Sequence, residues 1–181
     1  MGGTGEGRLN LLGCGKRMLC FGFARKESEE KKIGVFVCHC GTNIGGLVDC
    51  EKLAEYSKTL PNVKYSEHNL YTCSETGLAA IKKAVQENNL NRVVVASCTP
   101  RTHEPLFREC IEEAGLNPYL FNFVNIRDQC TWVHMKDPEA AYEKSKDLIR
   151  MGVSKAEKLE ELEKIIVEVN PSALVIGGGV S

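Results

Sequence analysis

Four short apolar segments, separated by stretches with helical periodicity, dominate the pattern of the chain after residue 32. Residues 33–37 and 92–96 are rich in β-branched side chains and predict buried strands. Residues 63–70 alternate between apolar and polar and predict a less buried strand, and residues 119–124 predict a fourth. Strands that alternate with helices are typical of a parallel sheet with crossover helices. We therefore expect an α/β fold: an open, doubly wound, mainly parallel sheet with helices on both faces.

The helices between these strands are predicted from their capping residues and their apolar faces. Asp49 is a suitable N-cap for a helix to about residue 58, and Ser74 is a suitable N-cap for the next helix. Residues 103–114 predict a third helix. Asp137 followed by Pro138 predicts the start of a fourth, because proline is favoured in the first turn.

The two ends of the chain differ from this central part. Residues 1–32 run from a glycine-rich start to a charged stretch and predict a flexible tail. Residues 33–153 are the predicted α/β domain, and residues 154–170 predict a charged connector helix. Its apolar stripe contains Leu159, Leu162, Ile165, Ile166 and Val169.

Residues 171–181 predict the truncated start of a second, dinucleotide-binding domain of the Rossmann type. An apolar strand over residues 173–176 leads directly into Gly177 and Gly179. These two glycines match the first half of the Gly-x-Gly-x-x-Gly turn that lets a backbone approach a pyrophosphate. Gly177 and Gly179 are therefore candidate cofactor-binding residues.

Charge and composition exclude several kinds of partner. The chain has 23 basic and 24 acidic residues and no basic cluster, which argues against a nucleic-acid partner. No apolar run reaches the roughly 20 residues that span a bilayer, and no secretory signal is present. We expect a cytoplasmic location. There, nine cysteines indicate metal or redox chemistry rather than disulfides, although most could be buried apolar residues.

Four of the nine cysteines follow different predicted strands: Cys40, Cys73, Cys98 and Cys130. Ligands of open parallel sheets bind outside the carboxyl ends of the strands, so these four thiols are expected to converge. Four thiolates suit a 4Fe-4S cluster or zinc. No Cys-x-x-Cys pair is present, which favours a cluster without excluding zinc. A thiol enzyme that uses Cys98 as nucleophile is a further alternative.

The remaining cysteines are weaker candidates. Cys38 lies two residues from Cys40 and is a possible substitute ligand, while Cys50 and Cys110 fall in predicted helices and are assigned to packing. Cys14 and Cys20 lie in the tail. Near the candidate ligands, the glycines after Cys40 and the two cations Arg101 and Arg127 favour an anionic cofactor and would raise a cluster's reduction potential.

Four segments resemble the N-terminal domain of the A subunit of heterodisulfide reductase: residues 37–44 (VCHCGTNI), 71–74 (YTCS), 96–105 (ASCTPRTHEP) and 125–134 (NIRDQCTWVH). The resemblance implies a 4Fe-4S cluster on Cys40, Cys73, Cys98 and Cys130, and an electron-transfer role. It also implies FAD in the full-length protein only, in the domain that Gly177 and Gly179 open.

The resemblance further implies partners. These are the B and C subunits and a hydrogenase or formate dehydrogenase module of a flavin-based electron-bifurcating complex. That complex reduces the heterodisulfide of coenzyme M and coenzyme B in methanogenesis. The isolated domain is expected not to be catalytic.

Overall fold

A four-stranded, all-parallel sheet forms the centre of the computed structural model, which describes residues 30–174 and 176–179. In this described part the strands are β1 (Ile33–Cys38), β2 (Val63–Asn69), β3 (Arg92–Ser97) and β4 (Phe121–Asn125). Their order across the sheet is β2-β1-β3-β4. The predicted open, parallel α/β sheet is confirmed.

The strands end nearly level with one another. Cys38 at the end of β1 lies opposite Asn69 at the end of β2, and Ser97 at the end of β3 lies opposite Asn125 at the end of β4. The loops that follow all four strands therefore start from one edge. The chain steps outward in opposite directions from β1 and from β3, which makes the gap between these strands the topological switch point.

Six helical segments connect and follow the strands in the described residues. They are α1 (Thr42–Gly45), α2 (Cys50–Lys58), α3 (Glu75–Glu87), α4 (Pro100–Glu113), a π-helix (Arg127–Thr131) and α5 (Pro138–Ala156). The side chains of Asp49, Ser74 and Asp137 accept hydrogen bonds from the first turns of α2, α3 and α5, so the predicted N-caps are confirmed. Helix α4 begins three residues earlier than predicted, at Pro100.

The two faces of the sheet are covered by different helices. On one face α2 and α5 pack against alternate residues of β1 and β3, with Val35 and Ile149 fully buried. On the other face α3 and α4 cover sheet residues such as Phe36 and Val95, with Phe107 of α4 fully buried between them. The strict alternation of apolar residues in β1 between two cores is the physical basis of the doubly wound arrangement.

The connector helix predicted over residues 154–170 is not formed. Helix α5 ends at Ala156, and residues 159–174 have neither helix nor strand. Residues 157–164 instead form a turn at 157–158 followed by a segment without helix or strand, and we call them the C-terminal strap. It makes four contacts near the amino ends of the strands: Asn62 with Glu157, Arg92 with the Leu159 carbonyl, Asn117 with the Leu162 carbonyl, and Glu112 with Lys164. Two of these contacts use the backbone carbonyls of Leu159 and Leu162, which a helix would need for itself.

Several sequence expectations lie at or beyond the limits of the described residues. Residues 1–29 of the predicted tail, with Cys14 and Cys20, are outside them. Of the strand predicted over residues 173–176, position 175 is also outside them, and its other three positions have no strand structure. Among the described helices, none has the length and apolar character needed to cross a bilayer.

Candidate functional site

The loop after β1 turns sharply at two residues with positive φ. Cys40 has φ +45° and Gly41 has φ +57°, a conformation that side chains disfavour. A Cβ on Gly41 would lie 2.6 Å from the Tyr71 hydroxyl oxygen, so only glycine fits without displacing this ring. The turn directs the Cys40 amide back towards the sulfur of Cys38, at 3.3 Å. The loop is thus shaped around the sulfur of Cys38.

Cys38 is buried, and its sulfur accepts two backbone hydrogen bonds. The donors are the amides of Cys40 and Thr72, both at 3.3 Å from Sγ. Hydrogen bonds from N–H groups favour a thiolate or a metal-bound sulfur over a protonated thiol. Beside it, the buried Thr72 hydroxyl has no hydrogen-bond partner among the described residues. Both features fit a group that carries negative charge at this point.

The sulfur of Cys40 contacts the guanidinium of Arg127, with 3.6 Å between Sγ and Nη1. Arg127 is held on two other sides. Its Nε lies 3.2 Å from the Asp128 carboxylate, and its guanidinium carbon lies 4.5 Å from the centre of the Trp132 ring. The π-helix that carries Arg127 therefore delivers a fixed positive charge to the loop after β1.

Cys73 and Cys98 complete the group at this edge. Burial raises the pKa of the Cys73 thiol, and negative charge on Cys38, Cys98 and Cys40 raises it further. Burial also raises the pKa of Cys98, an effect opposed by a hydrogen bond from Ser97 and by the charge of Arg127. Because all four cysteines lie at or just after the ends of β1, β2 and β3, and the amides of Cys40 and Thr72 both contact Cys38 Sγ, we call Cys38, Cys40, Cys73 and Cys98 the cysteine quartet. The quartet lies at the switch-point edge of the sheet.

Cys130 has different surroundings from the quartet. It is fully buried in the core between the sheet and α5. Its sulfur lies 3.1 Å from the Ala141 carbonyl oxygen and 3.2 Å from the Ser145 hydroxyl oxygen. Burial raises its pKa, and no quartet cysteine contributes to that shift. The structure thus brings three of the four predicted ligands together with Cys38 and leaves Cys130 facing α5.

Cys50 and Cys110 provide a reference for ordinary buried thiols. The sulfur of Cys50 lies 3.6 Å from the Val48 carbonyl, and that of Cys110 lies 3.5 Å from the Leu78 carbonyl. Burial raises the pKa of Cys50 to about 12 and that of Cys110 to about 11. Both are protonated donors in the core, as predicted for packing residues. The sulfur of Cys130 also contacts a carbonyl, and burial raises its pKa, an effect opposed by the hydrogen bond with Ser145 and by the charge of Lys144.

Two histidines tie the loop after β1 to the end of β2. His39 Nε2 and His68 Nδ1 are 2.9 Å apart, and the two rings are stacked at a tilt. Burial lowers the pKa of His39, and the neighbouring His68 lowers it further. Because this nitrogen of His39 is already engaged by His68, the pair supports the loop.

The structure contains no single-ion site in the part of the chain that it describes. There, no three side chains of His, Cys, Asp or Glu are grouped to hold one metal ion, and all seven cysteines are free. A 4Fe-4S cluster makes a different demand, because each thiolate binds a different iron atom. Whether these residues fit a cluster therefore depends on the hydrogen-bond donors and the positive charge around the quartet sulfurs.

Sequence reasoning missed Tyr71 and Ser145. Tyr71 covers Gly41, and Ser145 contacts the sulfur of Cys130. Gly41, directly after Cys40, was a signal in the sequence that another group lies close to the backbone at this position, but it did not identify that group as Tyr71. For Ser145 the sequence contained no such signal, since a serine within a helix is usually exposed.

Comparison with known proteins gives a consistent result, although no protein-family model matches the chain. It is 58% identical over 153 residues to one of the iron-sulfur A subunits of the CoB–CoM heterodisulfide reductase of Methanopyrus kandleri. It is 59% identical over 153 residues to the A subunit of the H(2):CoB–CoM heterodisulfide,ferredoxin reductase of Methanothermobacter thermautotrophicus. A third relative is the A subunit of the H(2)/formate:CoB–CoM heterodisulfide,ferredoxin reductase of Methanococcus maripaludis, at 44% over 153 residues.

Each of these alignments covers 84% of this chain and 23% of the relative. The fold and the cysteine quartet define an α/β domain with several thiols at the ligand-binding edge. The comparisons add that this chain is a relative of the heterodisulfide reductase A subunits and corresponds to about a quarter of their length. The resemblance inferred from the four sequence segments is confirmed.

Proposed function

We propose that this chain is an iron–sulfur electron-transfer domain of the heterodisulfide reductase A type. The observation that carries the proposal is the cysteine quartet at the switch point, with backbone amides and Arg127 directed at its sulfurs. When bound, a 4Fe-4S cluster supplies one-electron transfer. The chain supplies the thiolates, the donors that stabilise their charge, and the shape of the loops. The words "iron-sulfur" in the name of one relative support the same cofactor.

The proposed ligands are Cys40, Cys73, Cys98 and a fourth cysteine. Sequence spacing predicts Cys130 as the fourth, because it also follows a strand. The hydrogen bonds of the sulfurs support Cys38 instead, because its Sγ accepts two N–H groups and lies 3.9 Å from the nearest carbonyl contact, that of Leu70, while the Sγ of Cys130 accepts no N–H group of the described residues and lies 3.1 Å from the Ala141 carbonyl. A cluster on Cys130 would require this side chain to leave the α5 core.

Single cysteine variants test the proposal and identify the fourth ligand. Each variant is reconstituted anaerobically, and its iron, sulfide, absorbance and EPR spectrum are measured. We expect Cys40→Ala, Cys73→Ala and Cys98→Ala to lose the cluster or to convert it to a three-iron form. Cys50→Ala and Cys110→Ala are matched controls that should retain it. Full cluster content in all three of the first variants would refute the proposal.

The comparison of Cys38→Ala with Cys130→Ala then decides between the two candidates. Loss in Cys38→Ala with retention in Cys130→Ala assigns Cys38, and the reverse result assigns Cys130. Cys130→Ala also removes volume from the core, so the thermal unfolding midpoint of both variants is measured to separate instability from lost ligation.

Two other functions are less well supported. A zinc-stabilised interaction domain would contain zinc instead of iron and sulfide, so metal analysis of the purified chain separates the two. A thiol enzyme would need Cys98 as a reactive thiolate. Its pKa is raised by burial, which opposes that role at neutral pH.

The wider context is also proposed from the relatives. Two relatives are named for complexes that use H(2), or H(2) and formate, together with a heterodisulfide and ferredoxin. We infer that this chain acts in such a cytoplasmic complex. Its partners would be the B and C subunits and a hydrogenase or formate dehydrogenase module. Catalytic release of free thiol from the coenzyme M–coenzyme B heterodisulfide by the isolated chain would contradict a pure electron-transfer role.

Gly177 and Gly179 remain the proposed opening of a flavin site in longer relatives. A Gly-x-Gly turn positions a pyrophosphate only when the helix after it is present. We therefore expect the 181-residue chain to bind no stoichiometric FAD, which flavin fluorescence of the purified protein measures directly.

A further inference from the structure

Arg127 is the only cation for which the described part of the chain has a contact with a quartet sulfur, and its position is fixed by several independent contacts. The Asn125 side-chain oxygen accepts hydrogen bonds from the amides of Arg127 and Asp128, at 3.1 and 2.9 Å. The Asn125 amide nitrogen donates to the Asp128 carboxylate at 2.7 Å. Asp128 in turn pairs with Arg127 Nε. The end of β4 thereby sets where the guanidinium lies.

The guanidinium is also shielded from water. The Arg127 side chain is 19% exposed, and the half-exposed Trp132 ring stacks on it at 4.5 Å. A cation in such a position is screened less than a surface cation. Its free edge is directed at Cys40 Sγ, 3.6 Å from Nη1, and its charge also acts on Cys98. The positive charge is therefore built into the site at two of the proposed ligands.

We propose that Arg127 is a positioning residue that sets the reduction potential of the cluster, with Asp128 and Trp132 holding its guanidinium against Cys40. This inference rests on the proposed function. Reduction adds one electron, and thus one negative charge, to the cluster and its thiolates. A fixed cation nearby stabilises the reduced state more than the oxidised state, so it raises the potential.

The test is an anaerobic redox titration of the reconstituted 181-residue chain, with dithionite as the electron donor and the EPR signal of the reduced cluster as the readout. We expect Arg127→Gln to disfavour reduction about tenfold, which is a shift of about 59 mV to lower potential for a one-electron couple. Arg150→Gln is the matched control. It also removes one positive charge, but from a side chain on α5 that is 61% exposed and contacts no quartet sulfur, so its potential should stay at the wild-type value.

Arg127→Lys provides the second variant. Lysine keeps the charge but lacks the planar fork that contacts sulfur and carboxylate together, so a smaller shift in the same direction is expected. If Arg127→Gln does not retain a cluster, the reduction potential of Arg127→Lys alone is the test of the inference. A wild-type potential in whichever of these variants holds a complete cluster overturns the inference. Failure of the wild-type chain to bind iron and sulfide would instead refute the proposed function.

Discussion

At the scale of single residues, the turn at Cys40 and Gly41 is the most constrained feature of the candidate site. A residue with a side chain loses roughly 1–2 kcal/mol in the left-handed region, yet Cys40 adopts it. The turn is maintained by local contacts: the Cys40 amide donates to Cys38 Sγ, and the Cys40 carbonyl accepts from the Asn43 amide at 3.2 Å. Such strain at a site is consistent with a backbone arranged to serve a ligand.

Gly41→Ala tests this feature, with Gly115→Ala as the control. Gly115 also has a positive φ, of +91°, but a Cβ there would meet nothing within 4 Å, so its substitution introduces backbone strain alone. Both variants should lower the free energy of unfolding by about 1 kcal/mol or more. Only Gly41→Ala should also lower cluster content, because its methyl group displaces Tyr71 beside Cys40. Equal cluster content in the two variants would contradict this view of the loop.

The positions of the cysteines were predicted in part from the sequence. The rule that ligands follow parallel strands brought Cys40, Cys73 and Cys98 to one edge. Cys130 also follows a strand, β4, but the π-helix that carries it turns its side chain towards Ser145 and α5. Cys38 was considered only as a substitute ligand on the view that it points away from Cys40, but residues two apart in an extended segment share a face, so that view was wrong. The turn at Cys40, where the chain leaves the extended conformation, could not be read from the sequence pattern.

At the scale of elements, helix α5 packs on the sheet through a glycine. A Cβ on Gly152 would meet the side chain of Val124, and the Gly152 carbonyl accepts a hydrogen bond from the buried Asn122 side chain at 3.1 Å. The helix can approach β4 this closely only because a side chain is missing there. This contact sets the distance between α5 and the sheet, and therefore the space available to the core residues between them, which include Cys130.

Gly152→Ala should therefore destabilise the fold, although replacing glycine by alanine within a helix usually stabilises it. In an exposed helix this change stabilises by up to about 1 kcal/mol, whereas overpacking of a core typically lowers stability by about 1–3 kcal/mol. Met151→Ala, at the neighbouring exposed position, should have little effect. Urea unfolding of both variants checks the prediction, and a Gly152→Ala protein as stable as the wild type would show that α5 can move away from β4.

The connector segment shows where element-level prediction failed. Residues 155–169 have a helical apolar stripe, which predicted an amphipathic helix. Periodicity stabilises a helix only when its apolar face is covered. Ile165 and Ile166 are about 90% exposed, so this part of the stripe is not covered by any of the described residues. Arg92 and Asn117 bind the carbonyls of Leu159 and Leu162 instead, and these distant contacts leave no trace in the local pattern.

At the scale of the whole molecule, the sheet was predictable because each strand has its own pattern. The continuous apolar runs of β1 and β3 predicted buried strands and the alternation in β2 predicted a less buried one, which agrees with the central positions of β1 and β3 and the edge position of β2. The handedness of the crossovers limits the remaining choices. The strap was not predictable, because it joins residues 62, 92, 112 and 117 to a segment far along the chain.

Two truncations test whether the strap stabilises the domain. A chain that ends at Lys158 loses the contacts of Leu159, Leu162 and Lys164, and leaves the buried guanidinium of Arg92 without one of its acceptors. The free energy of unfolding should fall by about 1–3 kcal/mol, mainly because a buried donor loses its partner. A chain that ends at Val169 keeps these contacts and should unfold at the same urea concentration as the 181-residue chain. If both truncated chains unfold like the full chain, the strap lies against the sheet without stabilising it.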